Sequence, residues 1–102
     1  MTAAAGGMIP ARPLAAQAHA LHAAAAFIER AGISGLCLSV SEDRITIQVP
    51  ADLAGLDART AAVARLAAAA GGQATAARGW ITADGDLAGH QVHIFTPAGG
   101  TP

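Results

Sequence analysis

The sequence contains no lysine and only one cysteine, and both scarcities narrow its possible functions. Its six basic residues are all arginine and face seven acidic residues, which gives a net charge of −1. This balance offers no broad electrostatic attraction for phosphate backbones or anionic lipid, so a general nucleic-acid coat or a membrane-surface protein is disfavoured. A single cysteine forms no internal disulfide and cannot hold a structural zinc by itself. We therefore expect a cytoplasmic protein.

Large hydrophobic side chains are also scarce. Hydrophobic residues make up 53% of the 102 residues, but 29 of them are alanine, and the only aromatic residues are Phe27, Trp80 and Phe95. The chain therefore has room for one domain with a modest core. Its longest alanine-rich run, 15–28, contains a glutamine and two histidines and is too polar for a transmembrane helix. The lack of lysine, asparagine and tyrosine beside so much alanine, glycine and arginine is typical of a GC-rich genome.

Composition divides the chain into a domain and two tails. Residues 1–13 and 97–102 combine glycine, proline and small residues without periodicity, so we predict disordered tails around a domain at 14–96. Within the domain, a helical period aligns an apolar stripe of Leu14, Leu21, Ala25 and Ile28, ahead of Gly32, which ends the helix.

The rest of the domain alternates between period-two runs and one more helical segment. Strands are predicted at 36–40 and 45–49, a helix at 57–70 that ends at Gly71 and Gly72, and strands at 74–83 and 90–96. The Asp-Gly-Asp sequence at 84–86 predicts the turn between the last two strands. This turn is longer if it also includes Ala88 and Gly89. The predicted fold is α+β, in the order α-β-β-α-β-β. Because each helix has one apolar stripe and each hairpin one aliphatic face, we expect a four-stranded antiparallel sheet with both helices on one face.

Strand alternation then predicts which side chains the helices leave uncovered. The inward set is Leu36, Leu38, Val40, Ile45, Ile47, Val49, Ile81, Val92 and Ile94, and the outward set is Cys37, Ser39, Thr46, Gln48, Arg78, Trp80, Thr82, Gln91, His93 and Phe95. Aromatic residues beside an arginine form a surface of the composition enriched at protein interfaces. The candidate binding residues are Arg78, Trp80, His93, Phe95, Gln48 and Gln91.

This predicted face has more than one interpretation. Sheet faces stack readily and homodimers are the commonest assemblies, so we expect self-association, with a different protein partner as a further possibility. A shift of one residue in register would instead bury Trp80 and Phe95 in the core. The same face is also compatible with a small ligand or with single-stranded nucleic acid, whose bases stack on aromatic rings. Nucleic acid is the less favoured ligand because Arg78 is the only basic residue predicted there.

Four histidines form two His-x-x-His pairs, which raises the question of a metal. Residues at i and i+3 share a face of a helix but lie on opposite sides of a strand, so only His19 and His22 could chelate together, and His90 and His93 could not. A solvated helix face explains His19 and His22 equally well. We expect neither a metal nor any other cofactor.

Catalytic motifs are missing from the sequence. It has no G-x-S-x-G motif and no glycine-rich phosphate loop, and the one conceivable pair of nucleophile and base is Cys37 with His93. We expect Cys37 to be a buried or half-buried thiol without catalytic function. The sequence therefore predicts a small non-enzymatic interaction or accessory module.

Overall fold

A computed structural model of the protein describes residues 11–41 and 44–98. The predicted tails, except for 11–13 and 97–98, lie outside the described residues. Regular structure runs from Ala11 to Pro97 and thus extends slightly beyond the predicted domain at both ends. The elements are α1 (Ala11–Ala31), β1 (Cys37–Val40), β2 (Arg44–Gln48), α2 (Leu56–Ala69), β3 (Thr75–Ala77), β4 (Trp80–Leu87) and β5 (His90–Pro97).

The α+β class is confirmed, but the prediction of a four-stranded antiparallel sheet is wrong in two respects. The sheet has five strands in the order β1-β2-β5-β4-β3. Strands β2 and β5 are parallel, and every other neighbouring pair is antiparallel. The sheet is mixed because α2 forms part of a long crossover after β2, and a parallel pair needs such a connection.

The additional strand arises from a tight turn that the sequence reading did not recognise. Arg78 and Gly79 have φ values of 55° and 82°. Two successive residues with positive φ form the two-residue turn that matches the twist of a hairpin. This turn divides the predicted strand at 74–83 into β3 and β4.

A second turn of the same kind joins β4 to β5. It consists of Ala88 and Gly89, with φ values of 52° and 86°. The prediction of a turn at 84–86 is wrong, because these residues belong to β4. The signal misleads because Asp-Gly is typical of hairpin turns, whereas alanine rarely adopts positive φ.

Both helices pack on one face of the sheet, as predicted. Helix α1 contacts β1 and β2, and α2 contacts β4 and β5. Of the nine predicted inward side chains, six are buried and two are half-buried, and Leu38 is exposed because β1 is an edge strand. The buried core consists of Ala20, Ala24, Phe27, Ile45, Ile47, Val49, Val63, Leu66, Ala67, Ala70, Ile81, Ala83, Val92 and Ile94.

Helix α1 faces the sheet through a different stripe from the predicted one. Its buried residues include Ala20 and Phe27, whereas Leu14 and Leu21 are 54% and 53% exposed. The buried line is rotated by about 100° from the leucines, which is the angle between successive residues of a helix. This buried line combines two alanines with Phe27, the largest apolar side chain of the helix, and the leucines remain at its margin.

Helix α2 ends directly against β4. The amides of Gly71 and Gly72 bond back to carbonyls of the last turn, which is the Schellman arrangement that the Gly-Gly pair predicts. The Ala70 carbonyl accepts a hydrogen bond from the Asp86 amide at 2.9 Å. A Cβ on Gly85 would lie 2.4 Å from that carbonyl oxygen, so the contact requires glycine.

Arg59 connects the start of α2 to the end of the sheet. Its Nη1 donates to Thr96 Oγ1 at 2.8 Å and to the Pro97 carbonyl at 2.5 Å. The fully buried Thr96 hydroxyl donates in turn to the Val49 carbonyl at 2.7 Å. Neither helix of the described chain is long and apolar enough to cross a membrane.

Candidate functional site

The face of the sheet opposite the helices, called the open face below, has an aromatic centre. Trp80, Thr82, His93 and Phe95 line a shallow depression of about 280 Å³ there. The Trp80 side chain is 43% exposed, although tryptophan is usually well buried. The structure therefore has the strand register that leaves Trp80 and Phe95 outside the core, and not the register shifted by one residue.

The three rings of this centre are in contact along β5 and β4. The rings of Trp80 and Phe95 lie edge to face with centroids 5.6 Å apart. The His93 and Phe95 rings are stacked at 5.5 Å with an angle of 27° between their planes. Both arrangements are favourable for aromatic rings, so the three side chains support one another on the open face.

Strand pairing explains why these residues meet. Thr82 lies opposite Phe95, and Trp80 lies opposite Pro97. Trp80 is therefore the diagonal neighbour of Phe95, within reach of a large aromatic side chain. Alternation along both strands places all of them on the side that the helices leave free.

His93 also has a polar contact on this face. Its Nδ1 lies 2.9 Å from Oδ1 of Asp84, the residue directly opposite on β4. The Asp84 side chain is 77% exposed and the His93 side chain 27%. A polar contact this exposed adds little stability, so its main effect is to orient the imidazole ring.

The predicted binding residues are only partly brought together. Trp80, His93 and Phe95 form the aromatic centre, and Gln48 lies next to Phe95 on β2. Gln91 is exposed near the start of β5, which is the opposite end of the strand from Pro97. Arg78 is not on the open face, because it lies in the turn between β3 and β4.

The sequence reading missed the charged residues of the open face. Arg44 and Asp86 lie on either side of Gln91, and Asp84 lies beside His93. The Asp-Gly-Asp sequence predicts a turn for both aspartates, which removes them from the alternation of β4. The Ala88-Gly89 pair is the sequence signal that indicates these charged residues. A turn at these two residues extends the strand alternation from Trp80 through Asp86.

Cys37 is an exposed free thiol on β1, so the expectation that it is buried or half-buried is wrong. It lies opposite Gln48, and Gln48 lies opposite Phe95. Strand β2 therefore separates Cys37 from His93 by two strand spacings, or about 10 Å sideways. The residue beside His93 on β2 is Thr46, so Cys37 and His93 are not neighbours.

The structure brings His19 close to His90, whereas the metal hypothesis pairs it with His22. Nδ1 of His19 lies 2.7 Å from Nε2 of His90, which is buried on the helix side of the sheet. His90 and His93 lie on opposite sides of β5, as the strand period predicts. Within residues 11–41 and 44–98, no three histidine, cysteine or acidic residues are grouped closely enough to hold a metal ion.

Comparisons of the chain with family models, with curated proteins and with solved structures find no match in any of the three.

Proposed function

We propose that the protein is a small non-enzymatic interaction module that self-associates through the open face of its sheet. The observation that carries this proposal is the position of the aromatic residues. The chain has only three, and on the open face Trp80 is exposed and Phe95 half-buried, while Phe27 lies in the core. Aromatic side chains at the centre of a surface supply much of the binding energy of protein interfaces.

The surroundings of the aromatic centre support a protein partner. Gln48, Thr46 and Asp84 border it with groups that form hydrogen bonds. An apolar centre with a polar rim is the usual anatomy of an interface. The depression lies at the lower end of the volumes of ligand pockets and has four lining residues, so a flat partner suits it better than an enclosed ligand.

A second copy of the chain is the simplest partner of that shape. Sheets stack face to face about 10 Å apart, and a helix-free face on each copy permits this packing. Most soluble oligomers are symmetric homo-oligomers. We further propose that the dimer acts in the cytoplasm, where a reducing environment suits an exposed thiol such as Cys37.

A small planar ligand is the alternative, because Trp80, Phe95 and His93 offer ring faces and edges within one depression. Single-stranded nucleic acid is less favoured on the same face. Arg44 is accompanied there by Asp84 and Asp86, so the described open face attracts phosphates weakly.

Native mass spectrometry over a range of protein concentrations tests the proposal. Wild type should change from monomer to dimer without added mass as the concentration rises. Trp80→Ala should raise the dissociation constant by about 30-fold, corresponding to the loss of about 2 kcal/mol at an interface centre. Leu21→Ala is the matched control, because Leu21 is a similarly exposed apolar residue on α1, and it should dimerise like wild type.

Two results would overturn self-association. One is a chain that stays monomeric at every concentration, and the other is Trp80→Ala dimerising as tightly as wild type. A monomer that carries additional small-molecule mass, lost in Trp80→Ala, would establish the ligand-binding alternative.

A further inference from the structure

Arg44 and Asp86 occupy equivalent places on the two sides of β5. Arg44 on β2 and Asp86 on β4 both lie opposite Gln91, and both are exposed. Within the described part of the chain, neither takes part in an ion pair; the one pair found joins His93 to Asp84. The open face thus carries an unpaired positive group on one side of its central strand and an unpaired negative group on the other.

A homodimer that stacks two open faces has two simple choices for its two-fold axis. An axis along β5 exchanges left and right, so β2 of one copy covers β4 of the other. Each residue then faces the same level of the partner sheet. An axis across the strands exchanges the two ends, so β2 covers β2 and β4 covers β4.

Only the axis along β5 places the opposite charges of Arg44 and Asp86 face to face. With the axis along β5, Arg44 of each copy faces Asp86 of the other, and Thr46 faces Asp84. With the axis across the strands, Asp86 faces the end of β4 that carries Trp80, and Arg44 faces the far end of β2. No acidic residue of the described chain lies on the open face at those positions.

We infer that the protein forms a two-fold dimer whose axis runs along β5 and which is held at one end by two Arg44–Asp86 ion pairs between copies. The inference rests on the proposed self-association and adds the arrangement of the partner. Stacked sheets lie about 10 Å apart with strand directions within about 30° of each other, and the long arginine side chain spans this separation. Its planar guanidinium suits a two-point contact with a carboxylate.

Charge reversal tests this arrangement through the composition of the dimers. Arg44→Asp places acids on both sides of β5, and Asp86→Arg places arginines on both sides. Each variant alone would then face like charges twice, and its dissociation constant should rise by about tenfold or more. Mixed in equal amounts, the two variants should form the heterodimer in large excess over either homodimer. The double variant R44D/D86R should dimerise with nearly the affinity of wild type.

Native mass spectrometry resolves the three dimers by mass, and circular dichroism of each variant verifies that the fold is retained. Single variants that dimerise like wild type and mix statistically would overturn the axis along β5, and self-association through the open face would still stand. Single variants that dimerise weakly, and that form no excess of heterodimer when mixed, would also overturn the axis along β5. A wild-type chain that is monomeric throughout would overturn the proposed function itself.

Discussion

The indole of Trp80 lies edge to face against the ring of Phe95, with centroids 5.6 Å apart, on the face of the sheet that no helix of the described chain covers. Neither ring belongs to the buried core, whose aromatic residue is Phe27. Exposed apolar groups of this kind commonly mark a site of association. The contact between these two residues is therefore the centre of the functional account.

Exchanging aromatic residues for alanine should separate folding from association. Phe27→Ala should lower the free energy of unfolding by about 3–5 kcal/mol, because the ring is almost fully buried. Trp80→Ala should lower it by about 1 kcal/mol, mainly through the lost contact with Phe95. Urea denaturation followed by circular dichroism, at a concentration where the chain is monomeric, measures both. Equal losses for the two variants would mean that Trp80 supports the fold rather than a partner.

The sequence predicts the elements of this fold better than their pairing. Alternation at Ile45, Ile47, Val92 and Ile94 is strict, and all four are buried as expected. The parallel pairing of β2 with β5 could not be read from the residues, because it depends on the path of the crossover. Trp80 reaches the open face in prediction and structure alike, since both share the alternation of β4.

Failures of prediction occur where local signals conflict with tertiary packing. Leu14 and Leu21 are large apolar residues of α1, yet the helix faces the sheet through the line that contains Ala20, Ala24 and Phe27 instead. The glycine next to Asp84 predicts a turn, whereas the structure requires Gly85 for its close contact with Ala70. The His93–Asp84 contact was missed for the same reason, because an aspartate in a turn has no strand partner.

The buried hydroxyl of Thr96 should contribute measurably to stability. Thr96→Val keeps the shape of the side chain but removes a bond to the Val49 carbonyl and an acceptor for Arg59. We expect a loss of about 1–3 kcal/mol in the free energy of unfolding. Thr60→Val is the comparison, because its hydroxyl bonds only to Leu56 within its own helix, at an exposed position, and should cost about 0.5 kcal/mol or less. Equal effects at positions 96 and 60 would contradict the Arg59–Thr96 link.

Gly85→Ala should destabilise the protein by about 1–3 kcal/mol, as overpacking typically does. The added Cβ would meet the Ala70 carbonyl, a backbone atom that is also held by the Asp86 amide. Gly55→Ala provides the reference, since its Cβ would have open space and its φ is −66°. Its cost should be below about 1 kcal/mol, as expected for glycine at a helix N-cap. Thermal melting of both variants measures these losses of stability. A Gly85→Ala variant as stable as wild type would show that α2 can move away from β4.

Alkylation of Cys37 should depend on protein concentration. The thiol is exposed in the single chain and lies on the open face, two strands from Phe95. When two open faces stack about an axis along β5, β1 of one copy covers β3 of the other, so the reaction with iodoacetamide should slow. In Trp80→Ala the rate should remain at its dilute value over the same range of concentration. A wild-type rate that is the same in monomer and dimer would place the interface elsewhere.

Intrinsic fluorescence gives the most direct test of the central claim, because Trp80 is the only tryptophan in the chain. Its emission reports the open face without any label. We predict that the emission maximum shifts to shorter wavelength as concentration rises, in step with the appearance of dimer by sedimentation equilibrium. Arg44→Asp should displace both transitions to higher concentration, and Leu21→Ala should displace neither. A dimer that forms while the Trp80 emission stays constant, or a chain that never dimerises, would contradict the account.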